Sequence, residues 1–124
     1  MAFLTDRKRA SGLGAAKTGT EHFWGMTISS VSLLILVPVF LLTVGPMIGQ
    51  DYEAVTAHFA RPFPALVALL TFIVALLHFR NGVIVLIEDY VHGLARKVWI
   101  IIMTCVSYAA IAAAVLAIGM VSEI

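Results

Sequence analysis

The chain has 124 residues, of which 61% are hydrophobic and 12% are charged, and its mean hydropathy is +1.03. An average soluble domain is about 45–50% apolar and about 25% charged, so this composition excludes an ordinary soluble fold. The formal net charge of +1 lacks the strong positive balance typical of nucleic-acid binding. The single cysteine, Cys105, excludes a disulfide scaffold. The composition therefore predicts a small integral membrane protein.

The first apolar stretch runs from Phe23 to Gln50 without Asp, Glu, Lys, Arg or His. A helix rises about 1.5 Å per residue and needs about 20 residues to cross a hydrocarbon core of ~30 Å. The first membrane helix is predicted at residues 24–44. Residues 1–22 have no apolar core and are not a signal peptide. We expect them to form an N-terminal segment ahead of a membrane anchor over residues 23–124.

Ionisable residues interrupt the middle apolar stretch. Residues 62–77 lack charge and histidine but are too few to cross the membrane. A spanning length is reached only if the helix continues through His78 and Arg80, so the second membrane helix is predicted at residues 64–88. An ionisable side chain inside a spanning helix is costly and marks a candidate functional site by default.

The third apolar stretch, Val98 to Ser122, predicts a membrane helix at residues 98–120. Three such helices leave almost nothing outside the lipid for a catalytic domain, so any chemistry lies in the membrane, at its surface or in a partner chain. The predicted fold class is an all-α membrane protein with three transmembrane helices, which form part of a hetero-oligomeric helix bundle.

Charge asymmetry between the loops predicts the orientation. Positive residues of the N-terminal segment and of the loop between helices two and three are Arg7, Lys8, Arg9, Lys17, Arg96 and Lys97. The loop between helices one and two holds Asp51 and Glu53, with Arg61 as its positive charge. The positive-inside rule then places the N-terminus in the cytoplasm and the C-terminus on the opposite side.

His78 is the candidate iron ligand, because imidazole commonly holds haem iron. At about 100° per residue, Gly82 lies about 40° from His78 and one turn further on, so bare backbone adjoins the imidazole. Asp89 returns to within about 20° of His78, ~16 Å along the helix axis, and Tyr90 follows it at the helix end. A histidine that is hydrogen-bonded to another helix remains an equal alternative. Since no second histidine lies at this depth, a six-coordinate haem would need a partner subunit.

Arg80 lies about 200° from His78 on the same helical wheel. Arginine in the inner half of a membrane helix commonly extends its charged end to the surface, so we expect Arg80 to reach toward the cytoplasmic side. The alternative, contact with a haem propionate in a neighbouring subunit, is disfavoured by that angle.

The motif His78-x-x-x-Gly82-x6-Asp89-Tyr90 resembles the second-helix signature of the succinate dehydrogenase hydrophobic membrane anchor subunits of the cytochrome b556 type. The block at residues 19–24 and the three-helix layout extend this resemblance over essentially the whole chain. The block is most similar to the alphaproteobacterial and mitochondrial branch. Because no transit peptide precedes it, we expect a bacterial inner membrane, with the mitochondrial inner membrane as the alternative.

The resemblance implies cofactors and partners. His78 would ligate a haem b shared with a histidine of the other anchor protein, the cytochrome b anchor subunit, with Gly82 beside the ligand. Tyr90 would hydrogen-bond a ubiquinone carbonyl near the cytoplasmic surface, and Asp89 would belong to the surroundings of the quinone. The chain would anchor an iron–sulfur subunit and a flavoprotein, so that electrons pass from succinate through FAD and the clusters to ubiquinone.

Met26 and Thr27 stand where members of this family often have a Gln-Arg pair. A cationic contact from these positions to haem propionates or quinone is therefore not expected. Two alternatives to the succinate dehydrogenase anchor stay open. One is a cofactor-free scaffold subunit of another respiratory complex, in which His78 only packs, and the other is a fumarate reductase anchor that uses menaquinone.

Overall fold

The computed structural model describes residues 3–14 and 17–123. Parts of the predicted N-terminal segment (residues 1–2 and 15–16) and the last residue of the predicted anchor, 124, lie outside the described residues. The elements in chain order are α1 (Asp6–Ser11), α2 (Gly19–Val44), a 3₁₀ turn (Gly45–Met47), α3 (Tyr52–Phe59), α4 (Pro62–Tyr90) and α5 (Gly93–Ser122). No strand occurs within the described ranges.

Three of these segments are long and apolar enough to cross a membrane. Gly19–Met47, Pro62–Tyr90 and Gly93–Ser122 have 29, 29 and 30 residues, with mean hydropathies of 2.4, 2.1 and 2.4. At about 1.5 Å per residue, each is roughly 43–45 Å long, against a hydrocarbon core of ~30 Å. The prediction of an all-α membrane protein with three spanning helices is confirmed.

The helices extend beyond the windows predicted from hydropathy. α2 begins at Gly19 instead of residue 24, and α5 begins at Gly93 instead of residue 98. α4 is longer than predicted at both ends, and its first residue is Pro62, whose fixed φ and missing N–H suit the first helical position. Hydropathy finds the part of a helix that lies in lipid, whereas the backbone stays helical into the polar flanks.

Two short helices were not predicted. At the start of α1, the Thr5 hydroxyl accepts a hydrogen bond from the backbone N–H of Lys8 at 3.2 Å. At the start of α3, the Asp51 carboxylate accepts one from the N–H of Ala54 at 2.8 Å. Both are N-cap bonds, which satisfy N–H groups that have no partner inside the helix. Before α3 the chain turns at Gly49, whose φ of +82° favours glycine.

α4 is the central helix of the bundle and packs against both α2 and α5. Of its most apolar window, 28% is buried, compared with 0% for α2 and 6% for α5. The buried hydrophobic residues, Val67, Ala68 and Ile87, all lie on α4. The helix that carries His78 is thus the one held from two sides.

Two small polar side chains are buried on α4 and α5. Ser107 of α5 is only 1% exposed, and its hydroxyl donates to the Met103 carbonyl at 2.7 Å. Thr71 of α4 is buried in the same way and donates to the Val67 carbonyl at 2.7 Å. Because each hydroxyl is satisfied by its own helix, neither is left unpaired when neighbouring helices approach closely.

Candidate functional site

His78 lies on the central helix, α4, and its side chain contacts α2. Its imidazole is half-buried, and its Nδ1 lies 2.8 Å from the hydroxyl oxygen of Ser29 on α2. Its Nε2 makes no hydrogen bond within the described part of the chain, and it is not one of the buried polar atoms that lack a partner. One ring nitrogen is therefore fixed by a neighbouring helix, and the other is accessible to a ligand from outside the chain.

The helix surface beside His78 is open. Gly82 follows His78 by one turn, about 6 Å along the axis. A Cβ placed on Gly82 would meet no atom within 4 Å. No side chain of the described residues therefore contacts the backbone surface that the helical wheel predicts beside the imidazole.

Asp89 and Tyr90 close α4 at the predicted cytoplasmic side. Both side chains are exposed, with Tyr90 77% exposed, and neither makes a side-chain hydrogen bond among the described residues. Tyr90 is 12 residues from His78, which is about 18 Å along the helix. The structure therefore does not bring the imidazole and the phenol together, and each can serve a different ligand.

The expectation that Arg80 reaches the cytoplasmic surface is wrong. Its guanidinium carbon lies 5.4 Å from the centroid of the Tyr108 ring on α5, and its Nη1 donates to the Asn81 side-chain oxygen at 3.2 Å. Tyr108 is 15 residues into α5, about 22 Å from the start of that helix, so the cation stays at membrane depth. The aromatic face and the amide oxygen compensate for part of the water that the guanidinium loses.

A cavity of about 310 Å³ lies between α2 and α4. It is lined by Gly25, Ile28, Ser29, Ser32, Val74, Leu77, Arg80 and Asn81. The Nε of Arg80 is buried and has no hydrogen-bond partner among the described residues. Although the wheel separates Arg80 from His78, the long arginine side chain lines the same cavity as the serine that holds the imidazole.

Ser29 and Tyr108 are site residues that sequence reasoning missed. Ser29 is one of several hydroxyl residues on α2, and a serine in an apolar helix usually bonds to its own backbone. Thr27 does so, since its hydroxyl donates to the Phe23 carbonyl at 2.9 Å. No residue pattern therefore distinguishes Ser29 from its neighbours. Thr27 also supplies no positive charge at the position where the family often has arginine.

The chain can contribute one nitrogen ligand to a metal ion at His78. Across residues 3–14 and 17–123, no three His, Cys, Asp or Glu side chains are grouped closely enough to hold a metal ion together. His78 offers one imidazole nitrogen without a partner in the described chain, which fits a residue that would hold a haem iron. The opposite ligand would come from another chain.

These features define a membrane protein with three spanning helices and a histidine fixed within the central one. The chain belongs to the family of succinate dehydrogenase/fumarate reductase transmembrane subunits, whose model matches residues 2–120. This match confirms the family that the motif at the end of α4 predicts.

The chain is also similar in sequence to two membrane anchor subunits of succinate dehydrogenase. The chain is 46% identical over 119 residues to the succinate dehydrogenase hydrophobic membrane anchor subunit of Paracoccus denitrificans, covering 96% of this chain and 92% of that protein. It is 29% identical over 80 residues to the succinate dehydrogenase membrane anchor subunit of Reclinomonas americana, covering 62% and 67% respectively. No solved structure matches the chain significantly. The similarities confirm the predicted function of a membrane-anchor subunit.

Proposed function

We propose that this chain, together with a second anchor subunit, binds haem b and ubiquinone in succinate dehydrogenase. The observation that carries the proposal is His78, which lies inside a spanning helix with Nδ1 held by Ser29 and Nε2 accessible. The near full-length similarity to a succinate dehydrogenase anchor supports this enzyme over a fumarate reductase that uses menaquinone.

The haem site consists of His78 and the open surface at Gly82. Nε2 of His78 would bind the iron, and the missing side chain at Gly82 would leave the adjacent backbone accessible to the haem. A histidine of the cytochrome b anchor subunit would supply the second ligand to the iron. When bound, the haem supplies a one-electron redox centre within the membrane.

The quinone site includes the exposed end of α4. Reduction of ubiquinone to ubiquinol consumes two electrons and two protons, so the site must be open to a proton source. The Tyr90 hydroxyl donates a hydrogen bond to a quinone carbonyl, and the Asp89 carboxylate relays protons from the aqueous side. Both side chains are exposed and make no hydrogen bond to other described residues. They are therefore free to contact a quinone in a site that partner subunits complete.

The remaining subunits bind at the end of the bundle that holds Tyr90. The N-terminal segment and the first turns of α5, with Arg96 and Lys97, carry the excess of Lys and Arg, which supports a cytoplasmic location for this end. The iron–sulfur subunit then docks on this side and carries the flavoprotein. Electrons from succinate therefore arrive at the same membrane surface as Tyr90, and the protein is a multi-pass inner-membrane subunit.

Replacement of His78 tests the haem assignment. In the purified complex, His78→Ala should lose the b-type band of the reduced-minus-oxidised spectrum, because the axial nitrogen is gone. His22→Ala is the matched control, since His22 is an exposed histidine at the start of α2, and it should keep the full band.

A cofactor-free scaffold predicts a different result. In that case His78 only packs, and both His78→Ala and His78→Gln would assemble with unchanged spectra. An undiminished b-type band in His78→Ala would exclude ligation by this chain.

A further inference from the structure

We propose that Ser29 is the positioning residue of the haem-ligating histidine, in that its hydroxyl oxygen accepts the Nδ1 proton of His78 and so presents Nε2 to the iron. The inference rests on the proposed haem function. Ser29 lies on α2 and His78 on α4, so this bond also joins two membrane helices at the site.

The geometry determines which nitrogen can bind iron. The Ser29 oxygen is 2.8 Å from Nδ1, so a metal ion cannot approach that nitrogen. Iron must then bind Nε2, which in a neutral imidazole requires the proton to be on Nδ1. With its proton there, Nδ1 donates and the Ser29 oxygen accepts.

The hydroxyl proton of Ser29 has its own acceptor. Its oxygen is also 3.0 Å from the backbone carbonyl of Met26, in the geometry of a donated hydrogen bond. A hydroxyl has one proton to donate and lone pairs to accept with. The bonds therefore form a chain from Nδ1–H of His78 to the oxygen of Ser29, and from the hydroxyl of Ser29 to the carbonyl of Met26.

This series of hydrogen bonds affects the basicity of the His78 imidazole as well as its orientation. A metal-bound histidine usually donates its second N–H to an acceptor, which fixes the ring and raises its basicity. The Met26 carbonyl polarises the Ser29 hydroxyl and strengthens it as an acceptor. A more basic imidazole favours the oxidised, more positive iron, so Ser29 lowers the midpoint potential of the haem.

Ser29→Ala in the purified four-subunit complex tests this role. The midpoint potential of haem b should shift upward in a redox titration, and haem affinity should fall by about 10–100-fold, the usual effect of losing such a partner. Ser30→Ala is the matched control, because Ser30 donates to the same Met26 carbonyl at 2.7 Å and is exposed. It should retain the potential and the haem affinity of the unsubstituted complex.

Threonine and valine have nearly the same shape, so two further variants with these residues at position 29 separate the effect of the hydroxyl from that of packing. They also test the role of Ser29 if Ser29→Ala does not assemble. Ser29→Thr keeps an acceptor oxygen and should preserve the potential, whereas Ser29→Val should shift it upward. Equal potentials in these two variants, or no shift in Ser29→Ala, would overturn the role of Ser29. If the b-type band is lost in His78→Ala at the same time, haem ligation itself still stands. Retention of the band in His78→Ala would instead refute the proposed function.

Discussion

Neighbouring side chains contribute little to the position of Tyr90, because it ends α4 and is 77% exposed. An aromatic side chain at a membrane surface is often just part of the interfacial belt. Its neighbour Asp89 and its place on the helix of His78 distinguish it from such a residue. The phenol can act only through a ligand or a partner chain, so its role is best tested by removing its hydroxyl alone.

Tyr90→Phe should lower ubiquinone reductase activity, measured as kcat/KM, by about 2–10-fold. This range corresponds to the loss of one hydrogen bond of about 0.5–1.5 kcal/mol. Succinate oxidation by artificial electron acceptors should be unchanged, because the flavoprotein is untouched. Tyr52→Phe is the control, since Tyr52 is 74% exposed on α3, toward the other end of the bundle. Equal ubiquinone kinetics in both variants would contradict a quinone contact at Tyr90.

The candidate site was predictable only where a residue stands out from its apolar surroundings. His78 and Arg80 are visible because ionisable side chains are rare in a span. The partner of each was not predictable: Ser29 resembles Ser30, which bonds only to its own helix, and Tyr108 resembles any other aromatic residue in lipid. The direction of Arg80 was predicted wrongly because the general tendency of arginine to extend to the surface takes no account of partners at depth, here the Tyr108 ring and the Asn81 side chain.

At the scale of elements, the contact between α4 and α5 depends on small side chains. Ser107 is 1% exposed, so a larger side chain at that position would have no free volume. Its hydroxyl bonds to its own helix, so the hydroxyl contributes little to the contact with α4. The size of Ser107, more than its polarity, therefore allows the two helices to pack.

Ser107→Leu should destabilise the complex by about 1–3 kcal/mol, the usual cost of overpacking. Ser107→Ala keeps the small size and removes only the hydroxyl, so its effect should be well below that. Thermal unfolding of the purified complex, followed by circular dichroism, measures both. If the two variants unfold at the same temperature, Ser107 is not at a tight contact.

The three spans were predictable because hydropathy is a local property, averaged over about 20 residues. The ends of the helices and the two short helices depend on single capping bonds. Asp51 is typical of an N-cap, so α3 had a recognisable start, but its 8 residues are too few for a periodic pattern. Contacts between helices were not predictable, since apolar and polar residues are only weakly segregated to separate faces of α2, α4 and α5.

At the scale of the whole molecule, the orientation can be tested with single cysteines in a Cys105→Ala background. A membrane-impermeant maleimide added to intact spheroplasts should label Gln50→Cys, between α2 and α3, but not Ser11→Cys, at the end of α1. Inverted vesicles should give the opposite pattern. The chain without substitutions is the control, because its native Cys105 lies 12 residues into α5, about 18 Å from its start, and should not react from either side. Labelling of Ser11→Cys in intact spheroplasts would reverse the proposed topology.

The sparse burial of this chain has a consequence for its abundance in the cell. Among the residues that the structure describes, the buried hydrophobic ones are Val67, Ala68 and Ile87, while many larger apolar side chains are exposed. Lipid can cover those side chains, but it cannot satisfy the buried Nε of Arg80, which has no hydrogen-bond partner among the described residues. The stability of such a protein is inseparable from that of its assembly. We expect copies made in excess of their partners to be degraded quickly, so that the scarcest member of the complex determines how much of this protein accumulates.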